Sequence, residues 1–128
     1  VPVCSVGTKN ILAAMDETGG RLIVESSASV GDSYAKGILG AGFIVKVALK
    51  SVMADKEKQE AAVRGSSCNW TIVRPVKLTS KPARGPLKAG TDLRWNIAST
   101  ANRADVATYM VQILADVSTY KRSVTLRS

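Results

Sequence analysis

The sequence predicts an α/β fold: a parallel sheet with helices on its faces. Three observations predict it. A short continuous apolar run at residues 22–24 and the strand formers of residues 70–74 have the composition of buried strands. Stretches with helical apolar stripes stand between and around them. The resulting order is helix, strand, helix pair, strand, loop, helix, strand, which calls for right-handed crossovers joining parallel strands.

Residues 5–20 read as the first helix. Ile11, Leu12, Ala14 and Met15 form its stripe, and Gly19 and Gly20 stop it. Residues 22–24, Leu-Ile-Val, follow as a strand covered on both faces, and the serines and Gly31 then end it in a loop. Residues 42–53 predict a second helix, with Phe43, Ile44, Val47, Ala48 and Val52 on one face and Lys46 and Lys50 on the other. A break is expected near Ala54. Asp55 is placed to cap a further polar helix that ends at Gly65.

Trp70, Thr71, Ile72 and Val73 are strong strand formers, and Pro75 cannot donate to a ladder, so the second strand is expected to stop there. Residues 76–90, with Pro82, Gly85, Pro86 and Gly90, read as a long loop, and residues 92–99 as room for a short strand. The last helix begins at Asn102 as its cap. Val106, Met110, Ile113, Leu114 and Val117 fall at i, i+4, i+7, i+8 and i+11, one stripe facing the core. "RSVTLR", residues 122–127, is the final strand.

Composition narrows the chemistry. The 128 residues suffice for one domain, with 45% apolar and 22% charged residues, the mix of an ordinary globular protein. With 18 basic against 10 acidic residues the net charge is +8, which favours anionic partners. The basic residues are scattered, so a solvated surface or a phosphate-bearing cofactor accounts for them better than nucleic acid does. There is no histidine, which excludes Ser-His-Asp and Cys-His catalysis and most metal sites. Cys4 and Cys68 form no Cys-x-x-Cys pair and read as free thiols of a cytoplasmic protein, Cys68 as a small buried hydrophobe. Residues 37–54 are the most apolar stretch, but Lys46 and Lys50 interrupt it and argue against a membrane span. The chain begins with Val1, as a piece of a longer protein would.

In a parallel sheet, ligands bind beyond the carboxyl ends of the strands. The serines after Val24 and the loop after Val73 would open side by side onto that rim, where Pro75 is expected to free the backbone from the sheet.

"ADKEKQEAAVRGSSCNWTIVRPVKLT", residues 54–79, resembles atypical short-chain dehydrogenase/reductase proteins, most closely the NmrA-like and flavin-reductase, biliverdin-reductase-B-like group of NAD(P)H-binding proteins. "GTKNILAAM", "LIVESSASVGDS" and "NRADVATYMVQIL" match the group in the same order. The resemblance implies a Rossmann-like fold, of which residues 1–128 are the later part. The N-terminal strands and their GxxGxxG phosphate loop are missing. "GILGAG", residues 37–42, follows no strand directly and reads as a flexible connection.

The resemblance further implies NADP or NAD as cofactor, a flavin or other small planar acceptor, and contacts from Ser26, Ser27, Lys56, Pro75, Val76 and Lys77. Each has a plainer reading beside it: serines capping a strand end, a solvated lysine, an ordinary loop. Arg74 stands between a phosphate anchor and an ion-pair partner at the sheet rim, and the second is favoured. Asp105, beside Arg103, suits the positive end of the last helix. The Tyr-x-x-x-Lys pair of many dehydrogenases is absent: Val52 stands four residues before Lys56. No catalytic residue is named on this basis, since direct hydride transfer to an acceptor ring needs orientation more than a proton donor. The expected function is an NAD(P)H-dependent reductase. The alternatives are a non-catalytic dinucleotide-sensing or protein-interaction module, and a half-domain that self-associates through an open sheet edge.

Overall fold

A computed structural model of the chain describes residues 2–15, 19–31 and 50–128. Most of the helix expected over residues 42–53, and the connection at residues 37–42, lie outside the described residues. Among the described residues, three α-helices, α1 (Val3–Ala14), α2 (described over Lys50–Arg64) and α3 (Arg103–Gln112), accompany six strands. These are β1 (Arg21–Glu25), β2 (Asn69–Pro75), β3 (Lys77–Thr79), β4 (Lys88–Gly90), β5 (Thr100–Asn102) and β6 (Arg122–Arg127). The main sheet has the order β1-β2-β6-β4. β1 and β2 run parallel, with Leu22 opposite Trp70 and Glu25 opposite Val73. β2 and β6 are also parallel, and β4 pairs antiparallel with β6.

Alternation along β2 divides the core. Trp70 and Ile72 point to one face, where they join Val24, Val63 and Cys68, with Leu12 and Met15 of the α1 region packed against them. Val73 points to the other, with Val106, Ile113, Val124 and Leu126. Arg74 is therefore on the face covered by α2, and Ser26, one step beyond the Glu25–Val73 pair, continues the same row from Val24.

Several expectations are corrected. α2 runs through Ala54 without a break, and Asp55 caps a different helix: its carboxylate accepts the backbone N–H groups of Cys4 (2.8 Å) and Ser5 (2.9 Å) at the start of α1. Hydrogen bonds from Ser5, then from Cys4, hold its carboxyl below the ordinary range. The buried face of α1 carries Ser5 and Thr8, while Ile11 is exposed. β1 is only partly covered; Val24 alone of its residues is buried. α3 ends at Gln112, which leaves Leu114 and Val117 outside it at 52% and 70% exposure.

Residues 76–90 are no plain loop. β3 and β4 lie within them, β3 pairing parallel with β5, which begins just after the 92–99 segment expected to hold a strand. β6 forms as expected. Arg21 fastens the end of α3 to the sheet. It donates to the carbonyls of Ile113 (2.8 Å), Leu114 (3.0 Å) and Asn69 (2.9 Å), and its guanidinium lies 4.4 Å from the Tyr120 ring centroid. A cation at a helix C-terminus satisfies carbonyls that no further turn can reach.

Candidate functional site: a cleft beyond the strand ends

The two parallel strands β1 and β2 end at one rim, and a cleft of about 450 Å³ opens there. Ser26, Ser27, Lys56, Pro75, Val76 and Lys77 all line it, so all six residues singled out in the sequence come together. Lys56 comes from α2, the serines from the turn after β1, and residues 75–77 from the passage between β2 and β3.

Pro75 works differently from expectation. It stays in the ladder opposite Leu126, and its carbonyl accepts the N–H of Ala28 at 3.0 Å, so it ties the serine turn down. The ladder resumes at once, because Val76 N–H donates to Leu126 at 3.1 Å. A proline costs a strand only its own donor, and its acceptor remains free to pair. The turn above is self-bonded, with Val30 N–H on the Ser27 carbonyl (3.1 Å) and Ser29 N–H on Ser27 Oγ (3.2 Å).

Sequence reading missed the opposite lip. Trp95 is buried under it, and Ile97 stands at the mouth at 59% exposure. Residues 96–99 form a turn held in both directions: Asn96 N–H donates to Ser99 Oγ (2.9 Å) and Ser99 N–H to the Asn96 carbonyl (2.9 Å). The Asn-x-x-Ser spacing was the available signal. Arg103 completes this side, donating to Ser80 Oγ at 2.6 Å. The lining thus pairs an apolar floor with three cations, Lys56, Lys77 and Arg103, and one acid, Glu25.

The second omission is Glu60. It is fully buried on α2 and accepts from Ser26 Oγ (2.6 Å), from both Nε (3.3 Å) and Nη2 of Arg74, and from Arg64 (3.1 Å). Arg74 is thus the ion-pair partner expected, though inside the protein at 3% exposure. Gly31 makes room for it. Its φ is +67°, and a Cβ there would sit 2.2 Å from Arg74 Nη2.

Asn102 occupies the cap position of α3 but makes no side-chain cap bond. Its amide donates to the Pro82 carbonyl (3.1 Å) and to Asp105 (3.3 Å), and its oxygen accepts from Thr79. Asp105 accepts the N–H groups of Arg84 (2.9 Å) and Gly85 (3.2 Å) and so anchors the loop before β4. The Arg84 N–H first, then those of Gly85 and Asn102 and the Arg84 charge, hold its carboxyl below the ordinary 3.8. A carboxyl depressed in the folded state stabilises it above 3.8, and that stability is lost as pH falls through the lower folded value. Asp105→Asn is expected to flatten the acid limb of the Tm–pH profile below the ordinary carboxylate range. Thermal unfolding by circular dichroism measures it, and identical acid limbs in the two proteins would contradict this account.

Among the described residues no group of His, Cys, Asp and Glu could hold a metal ion, and no helix is long and apolar enough to cross a membrane. The sequence model of the NAD(P)H-binding family matches residues 3–117. No curated protein matches the sequence. Among solved structures, ChuY of Escherichia coli O157:H7, an anaerobillin reductase, superposes with a TM-score of 0.79 at 20% identity. That match covers 97% of this chain and 58% of ChuY. A short-chain dehydrogenase/reductase of Veillonella parvula in complex with NADP gives a TM-score of 0.80 at 16% identity, over 100% of this chain and 60% of the other. At such identities the likeness establishes a Rossmann-like fold, and the chain spans less than two thirds of either protein.

Proposed function

The chain belongs to the NAD(P)H-binding family, and on that premise we propose that it supplies the nicotinamide and acceptor side of an NAD(P)H-dependent oxidoreductase. In this reading residues 1–128 are the later part of a single domain of the atypical short-chain dehydrogenase/reductase, NmrA-like kind. The observation that carries the reading is the convergence of Ser26, Ser27, Lys56, Pro75, Val76 and Lys77 on one cleft at the carboxyl ends of parallel strands.

The lining fits the nicotinamide–ribose half of a dinucleotide. Pro75 and Val76 offer an apolar floor to a flat ring, and Lys56 reaches the ribose hydroxyls from α2. The pyrophosphate finds no GxxGxxG loop in this sequence. When bound, the cofactor supplies the hydride, and this chain's residues orient the ring, exclude water from its face and hold the acceptor. The acceptor is a flavin, a quinone or a similar planar molecule, seated against Ile97 and Leu78 with Lys77 and Arg103 at its edge. The free thiols Cys4 and Cys68 support a reducing, cytoplasmic setting.

Calorimetric titration of NADPH and NADH into the protein as its gene encodes it tests the reading. Binding of one or both is expected, weakened about ten-fold by Lys56→Ala. Absence of binding by either dinucleotide overturns it. A second reading, a dinucleotide sensor without turnover, is favoured by Val52, which stands where the dehydrogenases' proton-donating tyrosine would be. Steady NADPH consumption with flavin or quinone acceptors rejects the sensor.

A further inference from the structure

Beneath the cleft, Ser26, Glu60 and Arg74 form a hydrogen-bonded group that fixes what Ser26 can offer a ligand. We propose that Glu60 is a positioning residue. It makes the Ser26 hydroxyl an obligate hydrogen-bond acceptor toward the cleft, so that the group bound against it is an N–H donor, the primary carboxamide of a nicotinamide ring. The proposal rests on the dinucleotide reading above and deepens it.

A hydroxyl has one O–H and two lone pairs. The Ser26 O–H donates to Glu60 Oε2 at 2.6 Å, a short bond to a charged acceptor. Glu60 cannot exchange roles with it. A carboxylate only accepts, and its oxygens also take N–H bonds from Arg74 and Arg64. The residue is 0% exposed, so water does not compete.

The backbone holds Ser26 just as firmly, since its own N–H donates to the Val73 carbonyl at 2.7 Å. Ser26 lines the cleft together with Pro75 and Val76. What it presents there is lone-pair density. A ligand carbonyl aimed at Ser26 would face an acceptor, whereas an amide NH₂ finds a partner. An unmatched polar group in a dry pocket costs more than the matched bond contributes, so the arrangement discriminates.

The test compares NADP⁺ with 3-acetylpyridine adenine dinucleotide phosphate, in which a methyl group replaces the carboxamide NH₂. Dissociation constants are measured by calorimetry in the protein as its gene encodes it, in Ser26→Ala and in Glu60→Gln. The unsubstituted protein is expected to prefer the carboxamide by about ten-fold. Ser26→Ala should abolish most of that preference. Glu60→Gln, whose amide can donate to Ser26 and release its O–H, should shrink or reverse it.

A purely structural role for Glu60 weakens both ligands alike and leaves their ratio unchanged, which overturns the proposal. Should Glu60→Gln not fold, Ser26→Ala decides alone, and an undiminished ratio there is fatal. If neither dinucleotide binds, the NAD(P)H reading fails and carries this proposal with it. If both bind without preference in the unsubstituted protein, this proposal alone fails.

Discussion

Glu60→Ala is expected to lower the unfolding free energy by about 3–5 kcal/mol, because it breaks a buried ion pair and removes the carboxylate that accepts from Arg74, Arg64 and Ser26 at once. Arg74 is 3% exposed and donates two hydrogen bonds to this one carboxylate, and Ser26 loses its acceptor in the same step. Relaxation is limited, since α2 and β2 both pack into the core around the site through Val63 and Ile72. Urea denaturation followed by circular dichroism reads the change as a lower midpoint at constant slope. The paired substitution Glu60→Leu with Arg74→Met should recover part of the loss, as apolar replacements of buried ion pairs do elsewhere. A single-variant loss under about 1 kcal/mol would mean that water or another group compensates Arg74.

Gly31→Ala should cost about 2–3 kcal/mol, from two separable sources. The φ of +67° is a left-handed conformation, which an L side chain adopts at a cost of about 1 kcal/mol. The remainder is collision: the new Cβ would lie 2.2 Å from Arg74 Nη2 and 2.9 Å from its Cζ. The guanidinium must then move off Glu60 or the turn must open. In the Glu60→Leu/Arg74→Met background the collision is relieved and only the backbone part should persist. Equal losses in both backgrounds would show that Arg74 yields freely.

The parallel strands were legible because residues 22–24 and 70–74 are rich in apolar, aromatic and β-branched strand formers, although only Val24 of the first run is buried. The cleft was legible because strand ends in such sheets share a rim. Glu60 was hidden by its neighbours. Among Lys56, Glu57, Lys58 and Arg64 one more charge reads as solvated, and only packing against β2 reveals that its side of α2 is buried. β3, β4 and β5 are three residues each, too short for an alternating pattern to register. The end of α3 was misjudged for a related reason. Leu114 and Val117 keep the helical spacing of the stripe, but the chain turns at residues 113–115 and carries both into solvent. Local pattern cannot register Arg21, which donates to the carbonyls of Ile113 and Leu114 at this helix end from ninety-odd residues away.

β1 and β4 are the two edges of the main sheet, each with a strand partner on one side only among the described residues, and β1 is the edge beside the cleft. A strand laid against β1, from this polypeptide or another, would arrive beside Glu25, which lines the proposed nucleotide cleft. Occupancy of the cleft and completion of the sheet are then linked equilibria: whatever factor strand addition contributes to ligand affinity, the ligand returns in full to strand addition.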